Sequence, residues 1–201
     1  MTLVRLDGGK LFVHSPIAPD SELVKAVTAL GEVAFLVSPN KIHHLYLGQW
    51  GELFPRARIY ASPGLKEKRR DISFDGKLGN VPEPGWAGQI DQVVFAGSPV
   101  MQEVVFFHEK SRTVIFADLI ENFDRDWFTG WKGWIARHWG ITQPDGRAPL
   151  EWRLSFLFGH KQAKKALAKI MSWQPERIIV AHGACYEKDG VKELKRAFRW
   201  V

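Results

Sequence analysis

Apolar and polar positions fall into blocks along this chain, and each block predicts an element. Val33-Ala34-Phe35-Leu36-Val37 is continuously apolar and β-favouring, and it stops at Ser38-Pro39-Asn40. That is the pattern of a strand covered on both faces. Leu3–Leu6 and Leu11–His14 are short strands joined by a hairpin-type turn, Asp7-Gly8-Gly9-Lys10. Asp20-Ser21 caps a helix running through Leu23, Val24, Val27 and Leu30 to a stop at Gly31. A helix over His43–Leu53 and a strand at Arg58–Ala61 follow. Residues 71–89 concentrate Gly76, Gly79, Pro82, Pro84, Gly85 and Gly88, which predicts a long loop. Three strands come next, Gln92–Ala96, Glu103–Phe107 and Thr113–Ala117, the last two joined by the turn His108–Ser111. Helices are predicted over Asp124–Trp139, Leu150–Phe158 and Lys161–Trp173, then a strand Arg177–Ala181 and a helix Gly190–Trp200. The meander over Gln92–Ala117 excludes a uniformly alternating parallel fold. The order predicts an α/β protein, with a mixed sheet or two packed sheets and helices outside.

Three of these strands deliver a metal-capable side chain at or just beyond the C-terminal end. His43 and His44 follow Val33–Val37, Asp118 follows Thr113–Ala117, and His182-Gly183 follows Arg177–Ala181. Imidazole and carboxylate suit zinc or iron. Each residue also has a plainer role: paired histidines cap or pack, and an aspartate anchors backbone amides. His14 ends a short strand, and His108, His138 and His160 lie in a turn or at helix boundaries without a visible partner.

The bulk numbers narrow the class. At 201 residues the chain is expected to form one domain over 1–201, and 45% hydrophobic residues can fill its core. No apolar run approaches the roughly 20 residues that span a bilayer. No secretory leader is visible, and the single cysteine, Cys185, excludes an internal disulfide. The expectation is a cytoplasmic protein without membrane contact. The net charge is +6. Lys161, Lys164, Lys165 and Lys169 lie opposite Ala163, Ala166, Leu167 and Ile170, an amphipathic helix with a basic face. A solvated surface accounts for that face more simply than nucleic acid does. Trp127, Trp131, Trp134 and Ile135 recur at helical spacing, a stripe for the core or for a homodimer face. Gly-x-Ser-x-Gly, a phosphate loop and Gly-x-Gly-x-x-Gly are absent, so serine hydrolase, nucleotide hydrolase and dinucleotide oxidoreductase readings lack support.

The layout resembles the metallo-β-lactamase superfamily over most of the chain. That family places His-x-His-x-Asp-His after a strand; here the place reads Pro39-Asn40-Lys41-Ile42-His43-His44. His44 matches the last histidine, and His43 stands where the family has aspartate. Pro39 and Lys41 replace the first two histidines, and the loop Gly97–Gln102 lacks the middle one. Ile115-Phe116-Ala117-Asp118 matches the strand ending in Gly-Asp, and Val180-Ala181-His182-Gly183 the strand ending in Gly-His-Gly. The resemblance implies a shortened αββα sandwich with ligands at one sheet edge. It implies that the three-histidine metal site is lost and that His43, His44, Asp118 and His182 hold at most one divalent ion, zinc before iron or manganese. Lys41 lies where the lost ion would sit.

Three functions follow as expectations. The first is a metal-dependent hydrolase of a small-molecule ester, thioester, lactone or phosphoester, with Asp118 or His43 as the base. The second is a degenerate member, with no metal, that binds a ligand or partner without turnover. The third is nucleic-acid processing or binding.

Overall fold

The computed structural model describes residues 1–201, which form two compact units, Met1–Gln89 and Ile90–Val201. The first unit is built on the apolar blocks that open the chain. β1 (Thr2–Arg5) pairs antiparallel with β2 (Lys10–His14), and the turn between them is the expected Asp7–Gly9 segment. The helix α1 (Ser21–Leu30) is capped as predicted, with Asp20 accepting the Leu23 amide at 2.8 Å. β3 (Glu32–Val37) then lies parallel to β2. α2 (Leu47–Leu53), β4 (Arg58–Ala61), the short α3 (Leu65–Lys68) and β5 (Gly76–Lys77) complete a five-stranded sheet ordered β1-β2-β3-β4-β5.

Side-chain alternation divides this sheet between two apolar clusters. Leu11, Val13, Val33 and Leu36 pack with Val27 of α1 and Leu47 and Trp50 of α2. Phe12, Phe35 and Tyr60 close edge-on around Trp86, with ring centroids 5.1, 5.1 and 4.9 Å away. The loop predicted over 71–89 therefore contains a strand and delivers the fully buried indole of Trp86.

The second unit carries the meander. β6 (Ile90–Phe95), β7 (Glu103–His108) and β8 (Thr113–Ile115) pair antiparallel in turn. Beyond them come β9 (Glu121–Asn122), α4 (Gly130–Trp139), α5 (Leu150–Ser155) and α6 (His160–Ser172). β10 (Arg177–Ile179) joins β8 in parallel, β11 (His182–Gly183) pairs with β9, and α7 (Gly190–Ala197) closes the chain. The four-stranded sheet is ordered β10-β8-β7-β6. α6 buries Ala163, Ala166 and Ile170, as its periodicity requires. Its C-terminal turn is tied to β6: Lys169 Nζ and Trp173 Nε1 both donate to Asp91 Oδ2, at 2.6 and 2.7 Å. Trp173 also stacks on Phe107 at 5.3 Å.

Two predicted helices start later than their patterns indicate. α2 begins at Leu47, because the residues before it are held in a loop described below. α4 begins at Gly130, because Asp124 spends its carboxylate on the Asp126 amide (3.0 Å), an Asx turn that competes with helix. The tryptophan stripe is not core within this chain. Trp127, Trp131 and Trp134 are 70%, 71% and 58% exposed, and Gly133 and Ala136 are the buried positions of α4.

Trp86→Ala is expected to cost about 3–5 kcal/mol, the usual loss for a fully buried aromatic ring. Denaturant unfolding measures it as a lower midpoint at unchanged slope. Asp91 is partly buried, which alone would raise its carboxyl, but the hydrogen bonds from Lys169 and Trp173 win and hold it below the ordinary carboxylate value. The stability it contributes is complete above about pH 3.8 and lost as the pH falls through its depressed value. Asp91→Asn should therefore flatten the acid limb of a stability–pH profile and leave its slope near neutrality unchanged.

Candidate metal centre

In the second unit, the chain leaving β8 stays in register with β10 through the Phe116 amide, which donates to the Ile179 carbonyl at 2.9 Å. Ala117 and Asp118 then turn out of the sheet. Their amides donate to the two oxygens of one carboxylate, Glu103 Oε1 at 2.8 Å and Oε2 at 2.7 Å. Glu103 heads β7 and is fully buried. Two charge-assisted bonds from consecutive amides fix the backbone that carries Asp118.

His182 reaches Asp118 from the end of β10. Its Nε2 lies 3.0 Å from Asp118 Oδ1. Asp118 is buried and His182 half-buried. The pairing of β11 with β9 sets the approach: His182 stands opposite Glu121, and its ring stacks on Phe123 at 5.9 Å. Gly183 must be glycine. Its φ is +94°, and a Cβ there would come within 2.0 Å of the Asn122 carbonyl oxygen. The Asp118 hydrogen bond pushes the His182 imidazole above its ordinary pKa. Burial opposes this, and the charges of Asp118, Glu121 and Glu103 add to it.

In the first unit, Asn40 is fully buried and its Oδ1 accepts the amides of Ile42 (2.8 Å) and His43 (2.9 Å). Ser38 Oγ donates to the carbonyls of Asn40 and His43, each at 2.8 Å. This side-chain lattice replaces the first helical turn, so the two histidines stand on a loop. His43 Nδ1 meets Ser15 Oγ at 2.6 Å. Ser15 has a φ of +52°, a strained conformation for a non-glycine residue at the end of β2. His44 is turned to other company. Its Nδ1 accepts from Arg69 Nη1 at 2.9 Å, and Arg69 also holds Asp71. Burial, with Lys68 and Arg69 nearby, pushes His44 below its ordinary pKa. The Lys41 side chain lies across Gly64, where a Cβ would meet its Cδ at 3.2 Å.

The structure thus brings Asp118 and His182 together and separates the environments of His43 and His44. Glu103 and Ser15 escape sequence reasoning. Glu103 has a signal, a lone carboxylate heading the apolar run Val104–Phe107. Ser15 has none beyond its place before Pro16.

The chain has the metallo-β-lactamase fold. It superposes on the DIM-1 metallo-β-lactamase with a TM-score of 0.63 and 16% identity, covering 99% of this chain and 86% of that one. The Flv1 flavodiiron core from Synechocystis sp. gives a TM-score of 0.62 at 13% identity, covering 98% of this chain and 51% of that one. The chemotaxis sensor ODP, solved as a peroxy diiron species, gives 0.61 at 16%, covering 96% and 82%. Within that fold the chain belongs to the family described as a domain of unknown function, DUF4336, whose model matches residues 1–129. No curated protein matches the sequence.

Glu103→Ala would leave two buried amides without an acceptor, each costing roughly 1–3 kcal/mol. Chemical denaturation should show a loss in that range, with Glu103→Gln, which keeps one acceptor oxygen, falling between the variant and the parent.

Proposed function

We propose that this protein is a metal-dependent hydrolase with one metal site, built on Asp118 and His182. The observation that carries the reading is the pair at the strand ends. Its two donor atoms are 3.0 Å apart. A tetrahedral zinc ion with bonds of about 2.0–2.1 Å spaces its ligands by roughly 3.3 Å, so the pair fits one edge of that coordination sphere. An imidazole and a carboxylate are ligands suited to zinc, and the same pair suits non-haem iron. Two of the structural neighbours are diiron proteins by their own description.

When bound, such an ion lowers the pKa of its water toward about 7 and polarises an ester, thioester, lactone or phosphoester bond. The chain's own groups prepare the site. Glu103 fixes the Asp118 backbone. The β9–β11 pairing and Gly183 fix the approach of His182. His44 is left out of the ligand set, because the cations Lys68 and Arg69 lie beside it and an ion there would meet like charge.

A second reading, a binding protein without metal, also has support. Asp118 and His182 satisfy one another by a hydrogen bond, and Pro39 and Lys41 stand where the superfamily has histidines.

Metal analysis of protein purified without chelator decides between them. One ion per chain is expected, lost in Asp118→Asn and His182→Ala and retained in His44→Ala. A metal-free protein that takes up neither zinc nor iron on titration would establish the second reading.

A further inference from the structure

The second unit holds another cluster of charged groups, built on the C-terminus of α4 and on α7. Arg147 Nε and Arg153 Nη2 both donate to the carbonyl oxygen of Trp139, at 3.3 and 3.1 Å. That carbonyl belongs to the last residue of α4, where helix carbonyls carry partial negative charge. The Arg147 guanidinium lies directly over Gly140, whose φ is +72°. A Cβ at that position would come within 2.1 Å of Arg147 Nε, so glycine makes the room for it. Arg147 is also close enough to feel the charges of Arg199 and Arg196, and Arg153 those of Arg147 and Arg199.

Counter-charge is in short supply among these groups. Arg196 is satisfied, by Glu193 at 2.8 Å, by the Tyr186 hydroxyl at 3.0 Å and by Asp145 at 3.6 Å. Arg147, Arg153 and Arg199 have no carboxylate within ion-pair distance. Asp145 and Glu151 act on Arg147 and Arg153 only from farther away. Arg153 Nε is buried and has no acceptor at all. A guanidinium cannot shed its proton to relieve such crowding. Buried donors without acceptors and like charges without counter-ions are both costly, and one multivalent anion relieves both.

We propose that Arg147, Arg153 and Arg199 form a binding site for a phosphate group. Planar guanidinium forks match phosphate oxygens in pairs. A phosphate has enough oxygens to engage three forks, whereas a single carboxylate engages one or two. The site is independent of the proposed metal centre. It recognises inorganic phosphate or the phosphate of an organic monoester, the shared feature being a tetrahedral dianion.

Calorimetric titration of the full chain with inorganic phosphate at fixed ionic strength tests this, with acetate as the comparison anion. Saturable binding of one phosphate per chain, and none of acetate, is expected. Arg147→Lys and Arg153→Met should each weaken it at least tenfold. Arg199 is exposed, so Arg199→Ala should weaken binding severalfold without lowering the melting temperature. That variant keeps the test decisive if a substitution at 153 prevents folding. Titration with glycerol phosphate in parallel separates the sources: tighter binding of the ester assigns an organic phosphate, and equal or weaker binding assigns the free ion. Absence of saturable binding would overturn the proposal, and so would binding unchanged in Arg199→Ala and Arg147→Lys. Binding abolished by Asp118→Asn would overturn it too, by placing the anion at the metal centre. Metal content measured on the same arginine variants should not change, so failure here leaves the metal reading untouched.

Discussion

The candidate site depends on one buried carboxylate. Glu103 is a charge removed from water at the head of an apolar strand, and only bonds to full donors make that tolerable. The amides of Ala117 and Asp118 supply them. The arrangement is reciprocal. Two amides that leave the sheet would be orphaned without an acceptor, and the carboxylate gains two charge-assisted bonds from them. The backbone at 117–118 therefore has one low-energy position, and Asp118 inherits it. His182 meets a carboxylate that is already fixed, so its own placement needs only the β9–β11 pairing and the glycine that follows it.

The first unit solves the same problem with neutral groups. Asn40 and Ser38 are buried side chains that take up the backbone donors and acceptors of a loop which would otherwise be helical. The consequence is directional. On a helix, His43 and His44 would project about 100° apart from a common axis. On this loop they are assigned separately, His43 to Ser15 and His44 to Arg69. The strained backbone of Ser15 is consistent with that demand: its hydroxyl must reach an imidazole immediately after β2 ends.

Much of this was legible in the chain and some was not, for physical reasons. The strands and the site positions at their ends follow from continuous apolar blocks ended by turn residues, and α1 and α6 follow from cap and period. Helix starts were misread at His43 and Asp124 because Asn40 and Asp124 act through side-chain hydrogen bonds that a hydrophobic pattern does not register. Trp131 and Trp134 repeat at core spacing, yet the small residues Gly133 and Ala136 take the buried side of α4. Periodicity finds a stripe; it does not say which stripe faces inward when one is aromatic and the other small. Trp86 was hidden for the opposite reason, a single core residue inside a glycine- and proline-rich segment.

The Asp118–His182 pair carries a further consequence for the site's chemistry. The carboxylate that strengthens the imidazole's hold on its proton is also the one that would share an ion with it in the proposed metal centre. Proton and metal would therefore compete for the same lone pair on Nε2, and both would gain from the same neighbouring charges, Asp118, Glu121 and Glu103. The same two side chains that form a hydrogen-bonded pair would, in the proposed metal centre, become a pair of ligands. The hydrogen bond gives both side chains a defined position by itself.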